Sequence, residues 1–283
     1  MDGLILALFI KLPLALAVFL LIVYVGTIGK RFAGVLLTFP ILNGVAVVAS
    51  PNPVAVADAI YPLVIFNCVL FALVLSYPRA LPIDALPRTA RIVARVAIWS
   101  AVWFAGAFLI TRDRAAIFGA GVLLAGAAMF ALAFMLTRWT PQAAAANDNR
   151  RPGAGFLAFW ATRTGAWRIV LFCLAYAALI LVTRHALDEK WVGMASALPL
   201  PGFFALATLI EETTPTALRP IRDTLFLGPV LVIPFNWALS HLMLEMPAGA
   251  LRYAVLLAFY AVAALAVVVL VPRLAAHFDR RRS

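Results

Sequence analysis

About nine times along this chain, a run of roughly twenty apolar residues is closed off by a charged or proline-rich link. Roughly twenty residues is the length that a helix needs to cross the hydrocarbon core of a bilayer. The runs fall at roughly 3–26, 33–50, 55–77, 92–111, 115–137, 168–187, 191–210, 221–244 and 249–271. The two-residue alternation of barrel strands is absent, so the backbone polar groups must be satisfied inside helices. Composition agrees: 65% of residues are hydrophobic and 12% charged, against about half and about a quarter in soluble domains. The expected fold is an all-α polytopic membrane protein with about nine spans.

The formal net charge of +11 would suggest a nucleic-acid partner in a soluble protein. Here the Lys and Arg residues lie between the apolar runs, where they set topology, and no nucleic acid is expected. About seventeen fall on one side, including Lys30, Arg31, Arg79, Arg88, Arg91, Arg95, Arg168, Arg219 and Arg222. About five fall on the other: Arg112, Arg114, Arg184, Lys190 and Arg252. The richer side reads as cytoplasmic, which places the N-terminus outside and the C-terminus inside a bacterial inner membrane. The first run reads as a membrane helix rather than a signal peptide. Asp2 stands where a basic region is expected, Lys11 interrupts the run, and no A-x-A site follows.

Two runs share an unusual order of features. Residues 34–44 carry Pro40 near the middle of an apolar stretch, and residues 193–202 carry Pro199. Each follows a charged link, Lys30-Arg31 or Asp188-Glu189-Lys190. Each precedes a polar turn, Ser50 to Pro53 or Glu211 to Pro215. Laying 29–50 on 188–209 without gaps brings Gly34 to Gly193, Pro40 to Pro199 and Ala46 to Ala205. The expectation is a duplicated unit: residues 1–111 as a first four-helix repeat, 112–167 as a connector helix and cytoplasmic link, and 168–283 as a second four-helix repeat with a basic tail. An odd connector inverts the second unit, giving a 4+1+4 plan found in transporters. Within the link, 156–167 mixes aromatics with Arg163 and reads as a short interfacial helix.

A proline inside a helix frees carbonyls one turn earlier, and at mid-membrane these must be met by protein, water or ligand. The candidate solute-binding set therefore comprises Pro40 and Pro199, the nearby Thr38, Asn43, Ser196 and Gly202, the buried amide Asn67, and the mid-helix cation Lys11. A plain kink, and for Asn67 an interhelical hydrogen bond, are the competing readings. Asp58, Glu211, Glu212 and Arg222-Asp223 lie near interfaces and read as solvated helix ends. Cys68 and Cys173 read as small core residues. The three histidines have no ligand spacing, and no metalloprotease, P-loop or serine-hydrolase motif occurs. No metal, cofactor or catalytic residue is expected.

The second unit resembles the small four-helix GlpM-like inner-membrane proteins. The resemblance is carried by Trp191-Val192-Gly193, Leu198-Pro199, Leu218 to Thr224, Leu227-Gly228 and Val232 to Phe235. The first unit fits through Phe32-Ala33-Gly34 and Phe39-Pro40. The resemblance implies a fused, doubled relative and brings no catalytic residues with it. The functional expectation is a secondary transporter for a small solute, with Lys11 or Arg222 favouring an anion. The expected partners are the bilayer, the solute and a second copy of the chain. The alternative is a non-transporting membrane subunit that scaffolds an envelope-assembly or respiratory complex.

Overall fold

The computed structural model describes residues 2–28, 33–34, 36–37, 53–112, 163–186 and 198–225, with scattered positions between 238 and 262. Among the described residues there is helix and no strand. Six helices are defined: α1 (Asp2–Ile28), α2 (Pro53–Ser76), α3 (Arg88–Arg112), α4 (Arg163–Ala186), α5 (Leu200–Glu212) and α6 (Pro215–Leu225). The α1, α2 and α3 bounds follow the apolar runs closely. The runs at 33–50, 115–137, 221–244 and 249–271 lie largely outside the described residues.

Three bounds differ from the sequence expectation. Helix α4 starts at Arg163, so the last part of the expected interfacial helix is the first turn of a 24-residue helix. Helix α5 has 13 residues and begins beside Pro199, which is its N-cap (φ −81°, ψ 50°) rather than a kink inside a longer helix. Leu198 precedes a proline and is therefore disfavoured from helical backbone. Pro201 sits in the first turn, where its missing N–H costs nothing. The third difference is Glu211 and Glu212, which belong to the last turn of α5 and not to a turn after it. The helix stops at Thr213, whose backbone is extended (φ −124°, ψ 161°) and whose Oγ1 and N–H both donate to the Leu209 carbonyl. Helix α6 then opens at Pro215.

Helix α5 is the centre of the described bundle. Every residue from Leu200 to Leu209 is buried, so it is apolar on all sides, as a helix enclosed by others must be. It packs on α1, α3 and α4, while α2 packs on α3 and α6. Specific contacts fix the directions. Phe19 meets Phe204 and Gly26 meets Leu209, so α1 and α5 are parallel. Trp99 meets Phe203 and Arg95 meets Glu211, so α3 is antiparallel to α5. Phe172 meets Phe204 and Arg168 meets Glu212, so α4 is antiparallel too. Asn67 meets Trp103 and Pro78 meets Arg95, so α2 runs against α3.

By length and composition, Arg88–Ile110 is long and apolar enough to cross a membrane. Shorter apolar helical stretches are Ala15–Gly26, Leu63–Ser76 and Gly165–Leu179. Their outer faces carry exposed Leu109, Leu174 and Val102, while their inner faces supply Trp103, Phe19, Phe71 and Phe172 to the core.

Candidate functional site

The interior around α5 is layered. At its start, Gly202 is buried beneath the Phe71 ring, and a Cβ built there would lie 2.6 Å from Phe71 Cζ and 3.4 Å from Leu37 Cδ2. The absence of a side chain is what lets these helices approach. Next comes an aromatic layer. Phe203 is edge-on to Phe71 (5.6 Å between centroids) and tilted against Trp99 (6.0 Å). On the other side of α5, Phe204 is edge-on to Phe172 (5.5 Å), which stacks with Phe19 (4.9 Å) and Tyr176 (5.7 Å). Each such ring pair adds about 0.5–1.5 kcal/mol beyond its area burial.

The last layer is ionic. Glu211 accepts from Arg91 Nε (2.9 Å) and Nη2 (2.6 Å) through Oε2, and from Arg95 Nη1 through Oε1. Glu212 Oε1 accepts from Arg168 Nη1 and lies 3.4 Å from Arg88 Nη2. Arg88 also donates to the Glu211 carbonyl (3.3 Å). Arg91 Nη1 donates to the carbonyls of Leu86 (2.9 Å) and Asp84 (3.3 Å), and Arg95 Nη2 to that of Pro78 (3.5 Å). The segments Pro78–Arg95, Arg168 and Glu211–Glu212 are thereby drawn to one end of the bundle. The arginines among them, Arg79, Arg88, Arg91, Arg95 and Arg168, are those that the Lys and Arg count groups on one side.

Electrostatics explains why this end holds together. Two carboxylates at the C-terminal end of α5 oppose its own dipole, and arginines in the first turns of α3 oppose theirs. The antiparallel packing puts each group beside the complementary end of the neighbouring helix. Burial pushes the Glu211 carboxyl up, but hydrogen bonds and charge from Arg91 and Arg95 outweigh it and hold it below the ordinary carboxylate range. The reading of Glu211 and Glu212 as solvated ends is therefore corrected: their side chains are 6% and 17% exposed, and that of Arg95 only 2%. Among the described residues, four buried side-chain polar atoms have no hydrogen-bond partner: Arg95 Nε and the hydroxyls of Ser76, Ser100 and Thr208.

The expected solute contacts fare differently. Asn67 Oδ1 accepts from Trp103 Nε1 in the buried α2–α3 interface, the competing reading for this amide. Pro199 is half-buried at the α5 N-cap and Gly202 is close-packed. Thr38, Pro40, Asn43 and Ser196 lie outside the described residues, and Lys11 is helical in α1 with its side chain outside the description. Leu37, three residues before Pro40 in the chain, approaches Gly202, three residues after Pro199: a Cβ built at Gly202 would lie 3.4 Å from Leu37 Cδ2.

Sequence reasoning missed the Arg–Glu layer because its partners are separated by 116–123 residues in pairs such as Arg95–Glu211 and Arg88–Glu211. The available signal was an adjacent Glu pair closing an apolar run, on the side rich in unpartnered arginines. Compared with known families, curated proteins and solved structures, the chain matches no family model, no curated protein and no solved structure. The GlpM-like resemblance therefore rests on the quoted residues alone.

Proposed function

We propose that this chain is a multi-pass inner-membrane secondary transporter for a small anionic solute. It would be built from two inverted four-helix repeats around a connector, as a doubled relative of the GlpM-like proteins. The observation that carries the reading is the close approach of Leu37 to Gly202, which brings a residue three before Pro40 beside one three after Pro199. Helices α1, α2 and α5 run one way and α3 and α4 the other, the directions that these five would have as spans one, three, seven, four and six of the sequence reading. The layering supports it as well: a helix that begins at Pro199, aromatic rings beyond the break, and an ion-pair layer at one end. Such layering would suit a transporter closed on one side, and the Lys and Arg count would put the ionic layer on the cytoplasmic side.

Purified protein in proteoliposomes should take up one member of a panel of small carboxylate, phosphate and sulfonate solutes against an inverted control. Uptake should fall when Glu211→Gln and Arg95→Gln loosen the closed end. A panel with no uptake above protein-free vesicles sinks the transport reading.

A specific observation favours the scaffold reading as the second choice. Asn67 and Gly202, two of the expected solute contacts, are committed to Trp103 and Phe71. Recovery of a stoichiometric membrane partner by affinity purification, together with inactive proteoliposomes, would select it.

A further inference from the structure

The ionic layer is not balanced. Arg88, Arg91, Arg95 and Arg168 converge on two carboxylates, Glu211 and Glu212, with the exposed Asp84 nearby. Among the described residues positive charge is in surplus even when Asp84 is counted. Arg88 and Arg168 both address the same atom, Glu212 Oε1. Arg91 is saturated, since all three of its nitrogens donate to Glu211, Asp84 or Leu86. Arg95 keeps a buried Nε without a partner although its side chain is only 2% exposed. Arg168, 7% exposed, donates from Nη1 alone. A buried guanidinium N–H left unpaired is costly, and charge-assisted bonds to an oxyanion are the strongest way to satisfy it. The start of α3 adds the partial positive charge of its N-terminal N–H groups.

We infer that Arg88, Arg95 and Arg168 form a binding site for a phosphate group at this end of the bundle. Arg88 is the entrance, since its side chain is 45% exposed, and Arg168 and Arg95 are the inner contacts. A phosphate offers oxygens in several directions, which suits guanidiniums arriving from α3 and α4. The group has two sources. One is a free phosphate or phosphorylated solute. The other is an anionic lipid headgroup, for which exposed Trp167, Val170 and Leu174 beside Arg168 provide an apolar flank for an acyl chain. The inference concerns binding and does not rest on the transport reading.

The test uses the full chain in two arms. In detergent, thermal unfolding is followed with inorganic phosphate against chloride at equal ionic strength. In nanodiscs, the comparison is phosphatidylglycerol against phosphatidylcholine, with retained lipid read by native mass spectrometry. A free-phosphate site raises the midpoint by about 3 °C in the first arm. A headgroup site responds in the second arm only. Arg88→Gln should remove the response in either case, and exposed Arg79→Gln should keep it. Arg168→Gln with Glu212→Gln removes cation and carboxylate together, so no buried charge is stranded, and should also abolish the response. Absence of response in both arms overturns the inference, as does equal loss in the Arg79 and Arg88 variants.

Discussion

Arg95 and Glu211, 116 residues apart in the chain, meet as a buried ion pair where the start of α3 crosses the end of α5. Such a pair contributes little compared with a well-packed apolar contact, but removing one partner strands the other charge at a cost of about 3–5 kcal/mol. Glu211→Gln should therefore lower stability by about 3 kcal/mol. Combining it with Arg95→Met should recover part of that loss. Unfolding in a graded mixture of mild and denaturing detergent measures both, and a double variant no better than Glu211→Gln would contradict the pairing.

The same carboxylate predicts an acid limb in the stability profile. Its folded-state pKa is depressed, so its contribution is fully present above the unfolded carboxylate value and is lost as pH falls through the depressed folded value. Melting midpoints followed from neutral pH downward should drop in that window. The drop should be smaller in Glu211→Gln, which has no proton to gain.

Gly202→Ala tests the close approach of α5 to α2. The added methyl meets the rim of a fully buried Phe71 ring at 2.6 Å, so overpacking should cost about 1–3 kcal/mol. Phe71→Leu in the same chain should relieve some of it. Gly26→Ala meets both methyls of the fully buried Leu209, at 2.7 and 2.8 Å, and its Cγ at 3.3 Å, so its cost should be of the same order.

Thr208→Val should act in the opposite direction. The Thr208 hydroxyl is wholly buried without a partner, so replacing it with an isosteric methyl should be neutral or stabilise by about 1 kcal/mol. A clear destabilisation would mean that the hydroxyl is engaged.

Trp103→Phe removes a buried donor to Asn67 Oδ1 and should cost about 1–3 kcal/mol. Asn67→Leu in the same chain should recover part of it. Both changes are read by thermal unfolding in detergent, and full additivity would sink the coupling.

The helical class and the bounds of α1, α2 and α3 were legible because each rests on local apolar length. The start of α4 was not: Arg163 and Trp167 mix charge and aromatic character, which also describes an interfacial helix. The place of Pro199 was half legible. A proline in an apolar run announces a break, but whether it bends a helix or begins one depends on the packing around Leu198 and Pro201. The ionic layer was the least legible part. Nothing near Glu211 and Glu212 in sequence shows that Arg88, Arg91, Arg95 and Arg168 come from two other helices to meet them. Of the expected solute contacts, Asn67 accepts from Trp103 and Gly202 lies beneath Phe71, contacts of long sequence separation that neither residue's neighbours reveal.

Helix α5 lies at the centre of the described bundle but is made after the helices that enclose it. During synthesis α1, α2, α3 and α4 emerge first, and Arg95 and Arg168 have no Glu211 or Glu212 to meet. The growing chain therefore lacks Phe203 and Phe204 among its aromatic rings, and carboxylates beside these two arginines, until residues 200–212 arrive. A nascent chain stalled before that point carries guanidiniums on apolar helices without the carboxylates that pair with them in the finished bundle, a signature that separates the two states.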